Sequence, residues 1–95
     1  MGPEVLEELL VDAAKHLAEQ SPLLLGALKE ARWDVARTLS HKLKGSMGSL
    51  GYLALYEALQ AMEERLRSIP VNLPNDLDVY ELQKLLSSTQ NLMPK

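Results

Sequence analysis

The fold is read outward from DVARTLSHKLKGSMGSLG, Asp34 to Gly51. Ala36, Leu39, Leu43, Met47 and Leu50 recur at spacings of three and four, the apolar stripe of an amphipathic helix. Asp34 is placed to cap that helix, Trp33 to pack back on its first turn, and Gly51 to stop it. At about 100° per residue, His41 projects roughly 160° from the mean direction of the stripe, which puts it in water. Asp34, Arg37, Thr38, Gly45 and Gly48 share that outer face, and Lys44 lies about 60° from His41, one turn further along. A glycine inside a helix costs about 1 kcal/mol relative to alanine, so glycines on a solvated face need a reason. Gly45 and Gly48 read as clearance beside the imidazole; close approach of another helix is the alternative reading of Gly48.

The flanking sequence continues the helical pattern. Leu6, Leu10, Ala13 and Leu17 predict a helix over Val5 to Leu17. Ser21-Pro22 then reads as an N-cap followed by proline at the first helical position, predicting a short second helix or a kinked continuation to about Arg32. Leu23, Leu24, Ala27, Leu28 and Ala31 would face inward. After Gly51, the positions Leu55, Leu59, Met62 and Leu66 predict a helix from Tyr52 to about Ser68. SIPVNLPND, Ser68 to Asp76, is the one clear loop, and Asn75 or Asp76 caps a last helix through Leu77, Tyr80, Leu85, Leu86 and Leu92. The simplest closure is all-α: residues 1–95 as a single domain, an antiparallel up-and-down four-helix bundle with a short additional or kinked N-terminal helix.

Composition narrows the chemistry. The 95 residues include no cysteine, which excludes thiol nucleophiles, disulfides and cysteine metal sites and is consistent with a reducing cytoplasm. Phenylalanine is absent, which favours a leucine- and alanine-built helical core. A net charge of -3 argues against non-specific nucleic-acid binding. The N-terminal MGPEVLEELL is acidic where a secretory signal is basic, and no apolar run approaches the roughly 20 residues that span a bilayer. Two histidines far apart offer no metal site, and neither a glycine-rich phosphate loop nor a carboxylate cluster for magnesium is present. A neutral imidazole can attack phosphorus, and Lys44 can offset charge on the phosphoryl oxygens. The phosphoryl donor, its metal and the rest of such an active site would have to arrive on another protein.

His41-Lys42-Leu43-Lys44-Gly45-Ser46, continuing through Gly48, Leu50 and Gly51, resembles the signature of histidine-containing phosphotransfer (HPt) domains. The Arg32-Trp33-Asp34 turn, Leu55 and Met62-Glu63 stand where that family has its pre-histidine turn and the next helix's motif, so the resemblance spans about Val5 to Arg67. It implies that His41 accepts a phosphoryl group from a receiver domain's aspartyl phosphate and passes it to another receiver. Lys44 would steady the phosphoryl oxygens, Gly45 would leave room for the receiver, and Glu63 would orient the ring. Lys42, with Arg37 and Thr38, would serve receiver docking; Ser46 and Met47 would pack. The domain itself would be a monomer and no enzyme, with no cofactor of its own, using Mg²⁺ held by the receiver. Met1-Gly2-Pro3 suggests an excised domain of a bacterial hybrid sensor kinase, a transferase anchored in the inner membrane with this domain in the cytoplasm. A helical docking module without phosphotransfer is the runner-up. The dimerisation helices of a histidine kinase fit less well, because Lys42 stands where an acid follows that histidine and no proline comes soon after.

Overall fold

The computed structural model describes residues 3–68 and 74–93, with residues 3–7 as backbone only. Four helices follow one another: α1 (Pro3–Lys29), α2 (Trp33–Leu50), α3 (Leu53–Arg67) and α4 (Asp76–Leu92). No strand occurs among the described residues. Each helix packs on its sequence neighbours, and α1 closes the ring against α4. Short connections, Glu30–Arg32 and Gly51–Tyr52, reverse the chain between the first three helices. An ion pair between Arg65 and Asp78 ties the end of α3 to the start of α4. The result is an all-α, up-and-down four-helix bundle whose core is leucine, alanine and methionine.

No separate helix begins at Pro22. The proline lies inside α1, whose 27 residues run unbroken past it. Ser21 is no cap either: its hydroxyl donates to the Leu17 carbonyl at 2.6 Å. An interior proline cannot donate to the carbonyl four residues back. Here that residue, Ala18, and Pro22 are both exposed, so water can serve the freed carbonyl. The buried stripe Leu17, Ser21, Leu24 and Leu28 meanwhile continues in register through the proline. Tertiary packing of that stripe outweighs the local break. The same register leaves Leu23 exposed, and Ala31 falls outside the helix altogether; both were expected inward. Upstream, Leu10 and Ala13 are half-buried, and the side chain of Leu6 lies outside the described residues.

Both short turns use a left-handed residue. Gly51, at φ 84°, ends α2 while its N–H donates to the Gly48 carbonyl and that of Tyr52 to Met47, the paired bonds of a Schellman motif. α1 ends with the same pair, Arg32 to Ala27 at 2.8 Å and Ala31 to Leu28 at 3.4 Å, but the left-handed residue is Ala31 at φ 58°. α2 then starts at Trp33, one residue before the expected cap. Asp34 sits in its first turn, where a carboxylate favours the helix dipole instead of capping.

The last helix is capped at the first of the two expected positions, and its apolar residues divide between core and water. Asn75 accepts from the Asp78 N–H, and the Asp78 carboxylate accepts in return from the Asn75 N–H, a capping box. The inward face is Leu82, Leu86 and Thr89, extended by Met93, with Leu85 at its margin. Leu77, Tyr80 and Leu92 point to water, and the Lys84 ammonium lies 5.4 Å from the centre of the Tyr80 ring. Of the predicted loop, residues 69–73 lie outside the described residues.

The left-handed backbone at Ala31 is a site of strain that glycine would relieve. Ala31→Gly should raise the unfolding free energy by roughly 0.5–1 kcal/mol, net of the greater freedom of glycine in the unfolded chain. Urea denaturation measures this directly, and an unchanged midpoint would refute the strain.

Candidate functional site

Two helix edges meet along the α2–α3 seam. On α2 the positions Arg37, His41, Lys44 and Gly48 are spaced four, three and four, so they form one line along the helix. On α3, Tyr56, Gln60, Glu63 and Arg67 have the same spacing in the opposite direction. Antiparallel packing brings the lines together in order. Gly48 lies against the Tyr56 ring, and His41 and Lys44 both reach Glu63. Arg37 and Arg67 flank the far end of one open groove, whose lining is completed by Thr38, His41 and Glu63.

Glu63 is the centre of this arrangement. Its side chain is only 3 % exposed, yet it receives three basic groups: His41 Nδ1 at 2.9 Å from Oε1, Lys44 Nζ at 3.2 Å from Oε1, and an Arg67 nitrogen at 3.1 Å from Oε2. Burial pushes the carboxyl towards its neutral form, but hydrogen bonds from His41 and Lys44, with their charge, hold it below the ordinary value of 4.5. An ionised carboxylate only accepts hydrogen bonds, so the Nδ1 that faces it must carry the proton. In the neutral ring the lone pair is then on Nε2, which has no protein hydrogen-bond partner among the described residues. The imidazole side chain is 67 % exposed. The arrangement presents a nucleophilic nitrogen to solvent beside two guanidiniums and an ammonium.

The chain matches the Hpt domain family over residues 4–92. It belongs to the HPt family. Comparison with curated proteins and with solved structures finds no match. The HPt fold serves histidine phosphotransfer in two-component phosphorelays, and such domains work with receiver domains. They are phosphotransfer modules with no nucleotide site of their own.

Within this HPt domain, the residues singled out in the sequence fall into distinct places. His41, Lys44 and Glu63 come together, and Arg37 and Thr38 join them at the groove. The Thr38 hydroxyl donates to the Asp34 carbonyl. Lys42 is exposed but does not line the groove. At Gly45 a Cβ would meet nothing within 4 Å, an open surface one turn along from the ring. Gly48 is different and corrects the expectation of outward clearance: a Cβ there would lie 2.9 Å from Tyr56 Cδ2. The helical projection put Gly48 on the outer face because it took account of one helix alone; α3 covers that border. Arg67 went unnoticed in the sequence. The signal was its position four residues after Glu63, a spacing that places both on one face of α3.

The two glycines should therefore respond in opposite ways. Gly45→Ala should stabilise the fold by about 1 kcal/mol through helix propensity. Gly48→Ala should destabilise it by roughly 1 kcal/mol or more, because the Tyr56 ring must move. Paired thermal denaturation curves decide this, and equal shifts would show that Gly48 does no packing work.

Glu63 should also mark the acid limb of stability. A carboxyl held below its unfolded value contributes stability that is complete above pH 4.5 and is lost as pH falls through its folded value. Glu63→Gln, measured by urea midpoint against pH, should flatten the decline below pH 4.5. Parallel curves for the two proteins would show that the carboxyl titrates alike in the folded and unfolded chains.

Proposed function

We propose that His41 is the phosphoacceptor of a relay, taking a phosphoryl group from the aspartyl phosphate of one receiver domain and giving it to an aspartate of another. The observation that carries this reading is the Glu63 bond to Nδ1, which leaves the Nε2 lone pair free on an exposed ring. Nε2 attacks phosphorus in line, an N–P bond forms, and the P–O bond to the aspartate breaks with its electron pair passing to the carboxylate. No proton has to move. The Nδ1 proton stays between ring and Glu63, whose negative charge balances the positive imidazolium ring. The reverse sequence returns the group to a second receiver.

Lys44 is the ammonium that offsets charge on the phosphoryl oxygens, being within reach of the same ring and carboxylate. Gly45 leaves the surface next to the ring open to the receiver's active site. Arg37, Thr38 and Lys42 form the docking rim. The Mg²⁺ of the reaction belongs to the receiver, and the domain acts as a cytoplasmic monomer. No helix among the described residues is long and apolar enough to cross a membrane.

Mixing the chain with a phosphorylated receiver and Mg²⁺ should yield acid-labile phosphate on this protein. His41→Gln should abolish it with the helical spectrum intact, since the ring is mostly exposed and its loss opens no core cavity. Gly45→Glu should slow transfer at least tenfold while leaving the bundle folded, a loss of about 1.4 kcal/mol in the transition state. Receiver binding without phosphohistidine would favour a docking module instead.

A further inference from the structure

Arg67 is not needed to explain why Nδ1 keeps its proton, and Lys44 already supplies a cation beside His41. Yet Arg67 reaches the same carboxylate, from the groove side and from an exposed position: its side chain is 60 % exposed, against 20 % for Lys44. The carboxylate that holds it already has two other partners. A third partner on so small a group is the one most easily given up, and a guanidinium at a groove with only one acid in its lining has a clear alternative use. Arg37, from α2, is the other guanidinium of that groove.

We propose that Arg67 is a phosphoryl-binding residue held in reserve on Glu63, released to the phosphoryl oxygens when His41 is modified. This rests on His41 being the phosphoacceptor. The exchange substitutes one charge-assisted hydrogen bond for another, because Oε2 of Glu63 and a phosphoryl oxygen are both anionic acceptors for the same N–H groups. Nothing is stranded by it: Glu63 keeps His41 and Lys44, and its negative charge then faces a ring made cationic by the N–P bond. Arg67 would hold the oxygens from the α3 side while Lys44 stays on the far side of the ring. A guanidinium suits this task, since its planar fork can engage two oxygens of one phosphoryl group. Its i,i+4 relation to Glu63 also fixes its resting place within reach of the ring without filling the groove before the receiver arrives.

The test phosphorylates the whole chain with phosphoramidate, a small donor that needs no receiver, and follows phosphohistidine by ³¹P NMR. In the unsubstituted protein, Arg67 near the oxygens should make the phosphoryl group harder to protonate. Its ³¹P titration midpoint should therefore lie at lower pH than in Arg67→Ala, and Arg67→Lys should restore most of the difference. Phosphorylation should slow roughly tenfold in Arg67→Ala, the worth of one charge-assisted hydrogen bond. A merely structural tie between Arg67 and Glu63 would lower thermal stability and leave the ³¹P midpoint where it was; coincident midpoints would overturn the proposal. If phosphohistidine forms at His41 with coincident midpoints, the phosphotransfer reading stands and only the role of Arg67 fails. If no phosphohistidine forms on the unsubstituted chain, the phosphotransfer reading falls and this proposal with it.

Discussion

The buried carboxylate of Glu63 is the constraint on which the site depends. Isolated, a carboxylate this enclosed would be driven to protonate, because burial removes the water that stabilises its charge. His41, Lys44 and Arg67 prevent that, and each is itself placed by the interaction. The ring is held by one nitrogen so that the other is free. The lysine, largely covered, is kept at the histidine instead of extending into solvent. A single acid on α3 thus converts three separate basic side chains into one oriented cluster, and it does so across the seam between two helices that share a short, tight connection. The Schellman turn at Gly51 fixes where that connection falls, and so fixes the register that sets Glu63 opposite His41.

Three glycines divide the work along this seam. Gly51 supplies the left-handed backbone of the turn. Gly48 removes a side chain where the Tyr56 ring lies against α2, which lets the helices pack closely at that end. Gly45 alone serves the open surface. The helix-weakening cost is therefore spread over turn, packing and access, and only the last bears on the histidine's availability. It follows that α2 is anchored at its C-terminal end, by Gly48 and Gly51, while the face carrying His41 stays accessible one and two turns earlier.

Much of this was legible in the sequence, for physical reasons. The stripe of α2 and that of α3 are periodic and strongly apolar, and their buried apolar positions are ones that the spacing indicates: Ala36, Leu39, Leu43 and Met47, with Leu50 half-buried, then Leu55, Leu59, Met62 and Leu66. The cap of α4 was legible to within one residue, Asn75 or Asp76, because the side chain and the backbone it serves are neighbours. Errors arose where the deciding partner is distant in sequence. Pro22 reads locally as a helix start, and only the buried run from Leu17 to Leu28 carries α1 through it. In α4, Leu77 and Leu92 are as apolar as Leu82 and Leu86, so composition does not say which set faces the core. Gly48 is decided by α3, whose Tyr56 ring covers it, and the spacing of Arg67 from Glu63 marks a shared face without showing the groove that α2 completes.

A carboxylate at position 63, instead of a neutral amide, bears on the balance of the reaction. With a neutral ring, Arg37, Lys44, Arg67 and Glu63 sum to two positive charges around His41. Adding a dianionic phosphoryl group to a ring that keeps its Nδ1 proton changes the ring's own charge from zero to minus one, so the cluster falls to one positive charge. The surroundings are therefore net cationic in both states. In the proposed transfer, an approaching aspartyl phosphate would meet attraction, and the bound group little excess of it. A neutral side chain at 63 would leave the cluster one charge more positive in each state, favouring retention of the phosphoryl group over its release. In the proposed relay, which must let go as readily as it takes up, Glu63 would moderate the cationic field that otherwise opposes the second step.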